Sequence, residues 1–145
     1  MGDGFPKSQI TFIYGARSAD ELVLRDRITS LGVVAQFATD DGSFGYKGFG
    51  VDMLQQICHE NDRHDRKTRY YACGPGAMLA ACTDFTLRRG VPGEIALETP
   101  MPCASGVCLG CVVPCRTRSG DGAEYRRTCI DGPIFNADEV VWPST

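Results

Sequence analysis

A chain of 145 residues with a net charge of −3 and 43% hydrophobic content is long enough for one ordinary core, or for one domain and a small module. Its mild acidity argues against a nucleic acid or a membrane surface as partner, and no apolar run approaches the ~20 residues that span a bilayer. Eight cysteines follow an opening, Met1-Gly2-Asp3-Gly4-Phe5-Pro6, that has no apolar signal core. The expected setting is therefore a reducing, cytoplasmic compartment in which some thiols serve a metal.

Met1 to Ser8 reads as a connector. Gln9 to Tyr14 is a short apolar, β-branched run ending at Gly15, predicted as a buried strand. Ser18 to Glu21 fits a capping box, with Leu24, Ile28 and Leu31 on one face of the helix it would open and Gly32 closing it. Val33 to Ala38 is a second buried strand, and Thr39 to Gly50 a glycine-rich loop. A helix from about Val51 to Glu60 turns Val51, Leu54 and Ile57 or Cys58 inward. Asn61 to Thr68 is a solvated charged turn; His59 next to it and His64 within it are assigned to no metal. Arg69 to Cys73 is a third strand, broken by Gly74-Pro75-Gly76. Ala77 to Arg89 is a third helix with Met78, Ala81, Cys82 and Phe85 inward, ending at Gly90. Gly93 to Leu97 is a fourth strand.

Strand alternating with helix at this pitch implies right-handed crossovers, a parallel sheet and an α/β fold. Ligands on such sheets bind beyond the carboxyl ends of the strands. Two polar turns sit there: Thr39-Asp40-Asp41-Gly42-Ser43 and Cys73-Gly74-Pro75-Gly76. Each alone is an ordinary turn sequence; two on one rim point to a nucleotide. There is no G-x-G-x-x-G and no P-loop.

Near the C-terminus Cys103, Cys108 and Cys111 read Cys-x4-Cys-x2-Cys, and Cys129 follows Arg126-Arg127-Thr128. That is the plant-type spacing for a 2Fe–2S cluster. Gly106 and Gly110 can take positive φ, small residues let N–H groups approach the sulfurs, and Val107 and Leu109 would shield the centre. Structural zinc usually pairs two short Cys knuckles, and only one occurs here. Disulfides do not suit a reducing compartment. Cys115 partly mimics a four-iron pattern but lacks the following proline, and stands as a spare thiol or a backup ligand. Arg116, Arg118, Arg126 and Arg127 give the tail a basic cast, suited to a reduced cluster, to an acidic partner, or simply to solvent. No nucleophile or acid–base constellation is present, so substrate chemistry is expected of a partner.

With those motifs the chain resembles the C-terminal part of the electron-transfer subunit of dihydroorotate dehydrogenase, within the ferredoxin–NADP reductase superfamily. The resemblance rests on YGARSADEL (14–22), TDDGSFGYKGFGVDML (39–54), YACGPGAML (71–79), CASGVCLGC (103–111) and RRTCIDGPIF (126–135). It implies a ferredoxin-reductase-like, NAD-binding domain over residues 1–97 and a 2Fe–2S module over residues 98–145. It implies electron transfer from NADH through FAD and the cluster to a partner flavoprotein in pyrimidine biosynthesis. Cys73, Gly74 and Pro75 would lie near the nicotinamide and flavin ring, Asp40, Asp41, Gly42 and Ser43 in the nucleotide groove, and Arg17 near the adenosine end. The other class to weigh is a stand-alone cluster carrier, or an accessory subunit of another redox complex, with a vestigial nucleotide fold.

Family members begin with an antiparallel barrel of about 100 residues that holds FAD. Neither it nor the first strand of the nucleotide domain is found here. The sheet is thus expected to be incomplete, of about four strands, with an open edge. A trimmed chain, a split subunit completed by another chain, and a free-standing carrier all fit; an apolar edge favours the first two. The isolated chain is expected to bind NAD poorly and FAD hardly at all.

Overall fold

A computed structural model describes residues 6–117, 119 and 121–143. The chain divides into two compact units, Met1–His64 and Asp65–Thr145.

The first unit is a parallel three-stranded sheet in the order β1-β2-β3, with β1 at Thr11–Ala16, β2 at Val34–Thr39 and β3 at Tyr46–Lys47. The apolar, β-branched runs form β1 and β2, each shifted by a residue or two, but not the buried strands expected: no residue of β1 is buried and in β2 only Ala38 and Thr39 are. Lys7–Gln9 of the expected connector makes a 3-10 turn. β3 lies inside the glycine-rich loop, where two residues are too short to leave a periodic signal. The long helix α2 (Gly50–Arg63) opens with the Asp52 carboxylate accepting the Phe49 N–H at 3.2 Å. It buries Val51, Met53, Leu54 and Cys58 in a core shared with Leu22, Ile28 and Ala38.

The helix expected after Ser18 is reduced to a 3-10 turn at Ala19–Glu21 and a five-residue α1 at Arg25–Thr29. Ser18 makes no side-chain cap. The Ala19 N–H is taken by the Ser43 hydroxyl at 2.8 Å, and the Glu21 carboxylate accepts the Arg17 N–H at 3.0 Å. With so short a helix only Ile28 is buried, and Leu24 and Leu31 are exposed.

The second unit begins with the predicted β4 (Tyr70–Cys73), α3 (Gly76–Arg89) and β5 (Gly93–Ala96). β4 and β5 pair in parallel, and β8 (Ile134–Asn136) joins the far side of β5 in the opposite direction, placing Phe135 opposite Ile95. The observed architecture is therefore two three-stranded sheets, with β1 and β4 each at the edge of one, rather than one sheet of four. Gly90, at φ 69, ends α3 by donating to the Thr86 carbonyl at 2.8 Å. α3 buries Leu79, Cys82, Thr83, Phe85 and Thr86, whereas Met78 and Ala81 are only half-buried. The Tyr70 hydroxyl pins the helix to the sheet through the Cys82 carbonyl (2.8 Å) and Thr86 Oγ1 (2.5 Å). A separate hairpin, β6 (Val112–Arg116) with β7 (Ala123–Arg127), runs from Val112 opposite Arg127 to Arg116 opposite Ala123. Among the described residues no helix is long and apolar enough to cross a membrane.

Candidate metal centre and nucleotide turns

The four motif cysteines come together in two pairs. β6 starts directly after Cys111, and β7 ends two residues before Cys129. The hairpin register therefore delivers those two thiols to one place, with Cys111 Sγ 3.2 Å from Cys129 Sγ. The turn is closed by Thr128, fully buried, whose N–H (3.1 Å) and hydroxyl (2.7 Å) both donate to the Cys111 carbonyl. The Thr99 hydroxyl meets Thr128 Oγ1 from the other side. Thr128 and Thr99 carry no motif signal beyond the position of Thr128 beside a ligand.

The other pair is local. The Cys103 thiol is pulled down to about 5, chiefly by the Cys108 N–H, then by the Ser105 N–H and the Cys108 thiol. The Gly110 N–H donates to Cys108 Sγ at 3.4 Å. Cys111 is likewise lowered, first by the Cys129 N–H and then by its thiol, while Cys129 is raised by its bond to Cys111. Such N–H donors favour the thiolate, the form that ligates metal.

Among the described residues no three His, Cys, Asp or Glu side chains converge on a single ion. A 2Fe–2S centre needs a different arrangement, two thiolates on each of two irons, and two sulfur pairs are what the loop and the hairpin present. The donor set fits that group.

Two expectations for the loop change. Val107 and Leu109 do not shield the cysteines: they are 82% and 71% exposed. A loop that turns its N–H groups in toward sulfur turns its side chains out. Gly106 does take a positive φ, +77, but Gly110 does not. Gly110 is needed for space, since a Cβ there would meet Pro102 Cγ at 2.7 Å. Ala104 joins Gly106 in the left-handed region at φ 51. Cys115 is fully buried in β6, where its backbone bridges to Val140 and burial raises its thiol.

In the first unit, Arg17 and residues 40–43 gather beyond the carboxyl ends of β1 and β2. The Asp40 N–H donates to the Ala16 carbonyl (3.1 Å) and the Asp41 N–H to the Arg17 carbonyl (3.2 Å). Asp41 Oδ1 accepts both the Ser43 hydroxyl (2.6 Å) and the Ser43 N–H (2.9 Å), which hold its carboxyl below the ordinary range. In the second unit, Cys73, Gly74 and Pro75 occupy the carboxyl end of β4, with Cys73 exposed. A cleft of about 640 Å³ opens beside Gly74 and Pro75, walled by Leu97, Val113, Val140 and Trp142. Trp142, whose indole N–H donates to Thr83 Oγ1 at 2.8 Å, reads in the sequence only as the end of an apolar run.

Residues 98–141 match the family described as the iron–sulfur cluster binding domain of dihydroorotate dehydrogenase B. Over most of its length the chain is similar to dihydroorotate dehydrogenase B electron-transfer subunits. It is 33% identical over 136 residues to the dihydroorotate dehydrogenase B (NAD(+)) electron transfer subunit of Desulforamulus reducens, covering 94% of this chain and 50% of that protein. It is 38% identical over 128 residues to the same subunit of Fusobacterium nucleatum, covering 88% and 46%. A solved NADH-dependent reduced ferredoxin–NADP oxidoreductase, studied for flavin-based electron bifurcation, superposes with a TM-score of 0.73 at 33% identity, over 92% of this chain and 44% of that one. The chain thus spans about half the length of the curated relatives it matches.

Proposed function

We propose that this chain is the electron-transfer part of an NAD-dependent oxidoreductase. It relays electrons from NADH, by way of flavin, through a 2Fe–2S cluster to a partner flavoprotein of the dihydroorotate dehydrogenase type, in cytoplasmic pyrimidine biosynthesis. The observation that carries this is the sulfur pairing: Cys103 with Cys108, and Cys111 with Cys129. Each pair would hold one iron. Bound there, the cluster supplies one-electron storage, which NADH, a two-electron donor, requires a flavin to feed.

The chain's own residues do the positioning. N–H groups of the loop hold thiolates in place, and Thr128 fixes the distance between Cys111 and Cys129. Residues 1–97 act as a partial NAD-binding domain and 98–145 as the cluster module. Arg17, Asp40, Asp41, Gly42 and Ser43 line the nucleotide groove, and Cys73, Gly74 and Pro75 face the nicotinamide and flavin ring. The FAD barrel and the strand that would pair with β1 come from another segment or chain, so this chain alone binds NAD poorly and FAD hardly at all.

The test is anaerobic purification, iron and sulfide analysis, and low-temperature EPR after dithionite. About two irons and two sulfides per chain, with a spin-half signal in the reduced form, are expected. Zinc with no EPR signal would make the cysteines structural and end the electron-transfer proposal.

A further inference from the structure

The basic cast of the cluster module is not uniform. The Arg126 guanidinium is bound to Glu124 (2.7 Å) and Glu139 (3.3 Å), and Arg116 Nε donates to the Asp138 carbonyl at 3.1 Å. Arg127 alone among the described arginines of the module reaches the ligand loop. It lies two residues before Cys129, and its guanidinium donates to the Gly106 carbonyl at 2.9 Å, between Cys103 and Cys108. Its own N–H is held by the Asp131 carboxylate at 2.7 Å, and the same carboxylate lies 3.9 Å from its Nε. Gly106 is buried, and the Ile130 side chain closes over its Cα, where a Cβ would lie 2.5 Å from Ile130 Cδ1. Residues 127–131 thus clamp the loop carrying the first ligands to the segment carrying the fourth.

We propose that Arg127 is a positioning residue for the cluster and also tunes it, tying the Gly106 carbonyl to the Cys129 segment and placing a partly balanced cation beside the ligand loop that raises the reduction potential. One-electron reduction of a four-thiolate 2Fe–2S centre adds one negative charge to a site already negative, so a fixed cation stabilises the reduced form more than the oxidised one. Binding the Gly106 carbonyl turns its negative end toward the guanidinium, and the trans peptide sends the Val107 N–H the opposite way. Asp131 offsets part of the cation's field, so the two residues pull the potential in opposite directions.

This rests on the four cysteines being the ligands of a 2Fe–2S cluster. The full chain, reconstituted anaerobically with iron and sulfide, is titrated potentiometrically and followed by EPR. Arg127→Gln is expected to shift the midpoint negative and Asp131→Asn to shift it positive, since the asparagine oxygen still accepts the Arg127 N–H. Arg127→Lys keeps the charge and should stay close to wild type in potential while changing the g-anisotropy. Arg116→Gln should move neither. A merely structural role would give Arg127→Gln and Asp131→Asn the same loss of cluster and no opposed shifts. If Arg127→Gln holds no cluster, Asp131→Asn decides: a positive shift supports the assignment and an unmoved or negative one overturns it, with Arg127→Lys as the charge-keeping control. Intact clusters with unmoved or like-signed potentials overturn the assignment of Arg127. A wild-type chain that assembles no cluster overturns instead the proposed ligand set.

Discussion

Gly106→Ala separates two costs that could both be read off the cluster loop. The first is backbone: φ at Gly106 is +77, and an L-residue there costs about 1–2 kcal/mol. The second is steric: the new Cβ would stand 2.5 Å from Ile130 Cδ1 and 3.0 Å from its Cγ1. Ile130 is 53% exposed, so its chain end can swing into water, and the steric cost largely relaxes. The backbone cost cannot relax while the Gly106 carbonyl is held by Arg127. A loss of about 1–2 kcal/mol corresponds to cluster binding roughly 5–30-fold weaker. It is measured by chelator competition on the reconstituted chain, following cluster absorbance. The diagnostic comparison is Gly106→Ala with Ile130→Ala. If φ dominates, removing the isoleucine restores less than about 0.5 kcal/mol, within the usual limit of additivity. Full rescue by Ile130→Ala, or undiminished cluster retention in Gly106→Ala alone, would refute the reasoning.

Four further outcomes are expected. Ser at Cys103, Cys108, Cys111 or Cys129 should abolish or destabilise the cluster, whereas Cys115→Ser, buried in β6 away from either sulfur pair, should keep two irons by metal analysis and lose only stability in a thermal melt. Thr128→Val removes a hydroxyl that bonds the Cys111 carbonyl and receives Thr99; it should cost about 1–3 kcal/mol in chelator competition, and Thr128→Ser should recover most of it. Gly93→Ala drives a Cβ to 2.0 Å from Tyr70 Cζ, and the ring, fixed at its hydroxyl, cannot yield. The loss should be about 3 kcal/mol or more by urea unfolding, and a stable variant would mean that the Tyr70 anchor is misjudged. Asp41→Ala should weaken nucleotide binding in the assembled complex and leave the cluster spectrum unchanged. Because the folded carboxyl lies below its ordinary 3.8, the Asp41–Ser43 turn is fully supported above that pH and loosens only as pH falls through the lower folded value, a transition visible in the Ser43 amide resonance.

The strands β1, β2, β4 and β5 and the helices α2 and α3 were legible because each carries its own local signal: an apolar run, or an amphipathic stripe with a glycine stop. The spacing of Cys103, Cys108 and Cys111 is likewise a short-range signal, and the structure brings these thiols and Cys129 together in two pairs. β6 and β7 were not. Val112-Val113-Pro114-Cys115-Arg116 contains a proline, which demotes a strand reading, and Ala123-Glu124-Tyr125-Arg126-Arg127 looks like a solvated segment. Their pairing is decided by each other and by the bonds of Thr128, not by any internal period. β8 is three residues long and is fixed by Ile95 opposite Phe135. At Ser18 the local pattern was present and misleading: the Glu21 N–H that the cap would have served bonds the Ser18 backbone carbonyl, and the Glu21 carboxylate takes the Arg17 N–H instead of the Ser18 N–H.

The two sulfur pairs differ in what holds them, and that difference would order the assembly of the proposed centre. Cys103 and Cys108 are brought together by N–H groups within their own loop, so this half can form as soon as the loop turns at Ala104 and Gly106. Cys111 and Cys129 are separated by a hairpin, and their 3.2 Å approach exists only when Val112 stands opposite Arg127. A one-residue slip in that ladder would turn every side chain of the strand to the opposite face and part the second pair while leaving the first intact. Thr128 opposes the slip directly, with two bonds to the Cys111 carbonyl, and the Arg127–Gly106 bond ties the hairpin end back to the local pair. For the proposed ligand set, completion of the four thiolates is thereby coupled to correct pairing of β6 with β7, and metal binding would supply folding energy to the hairpin.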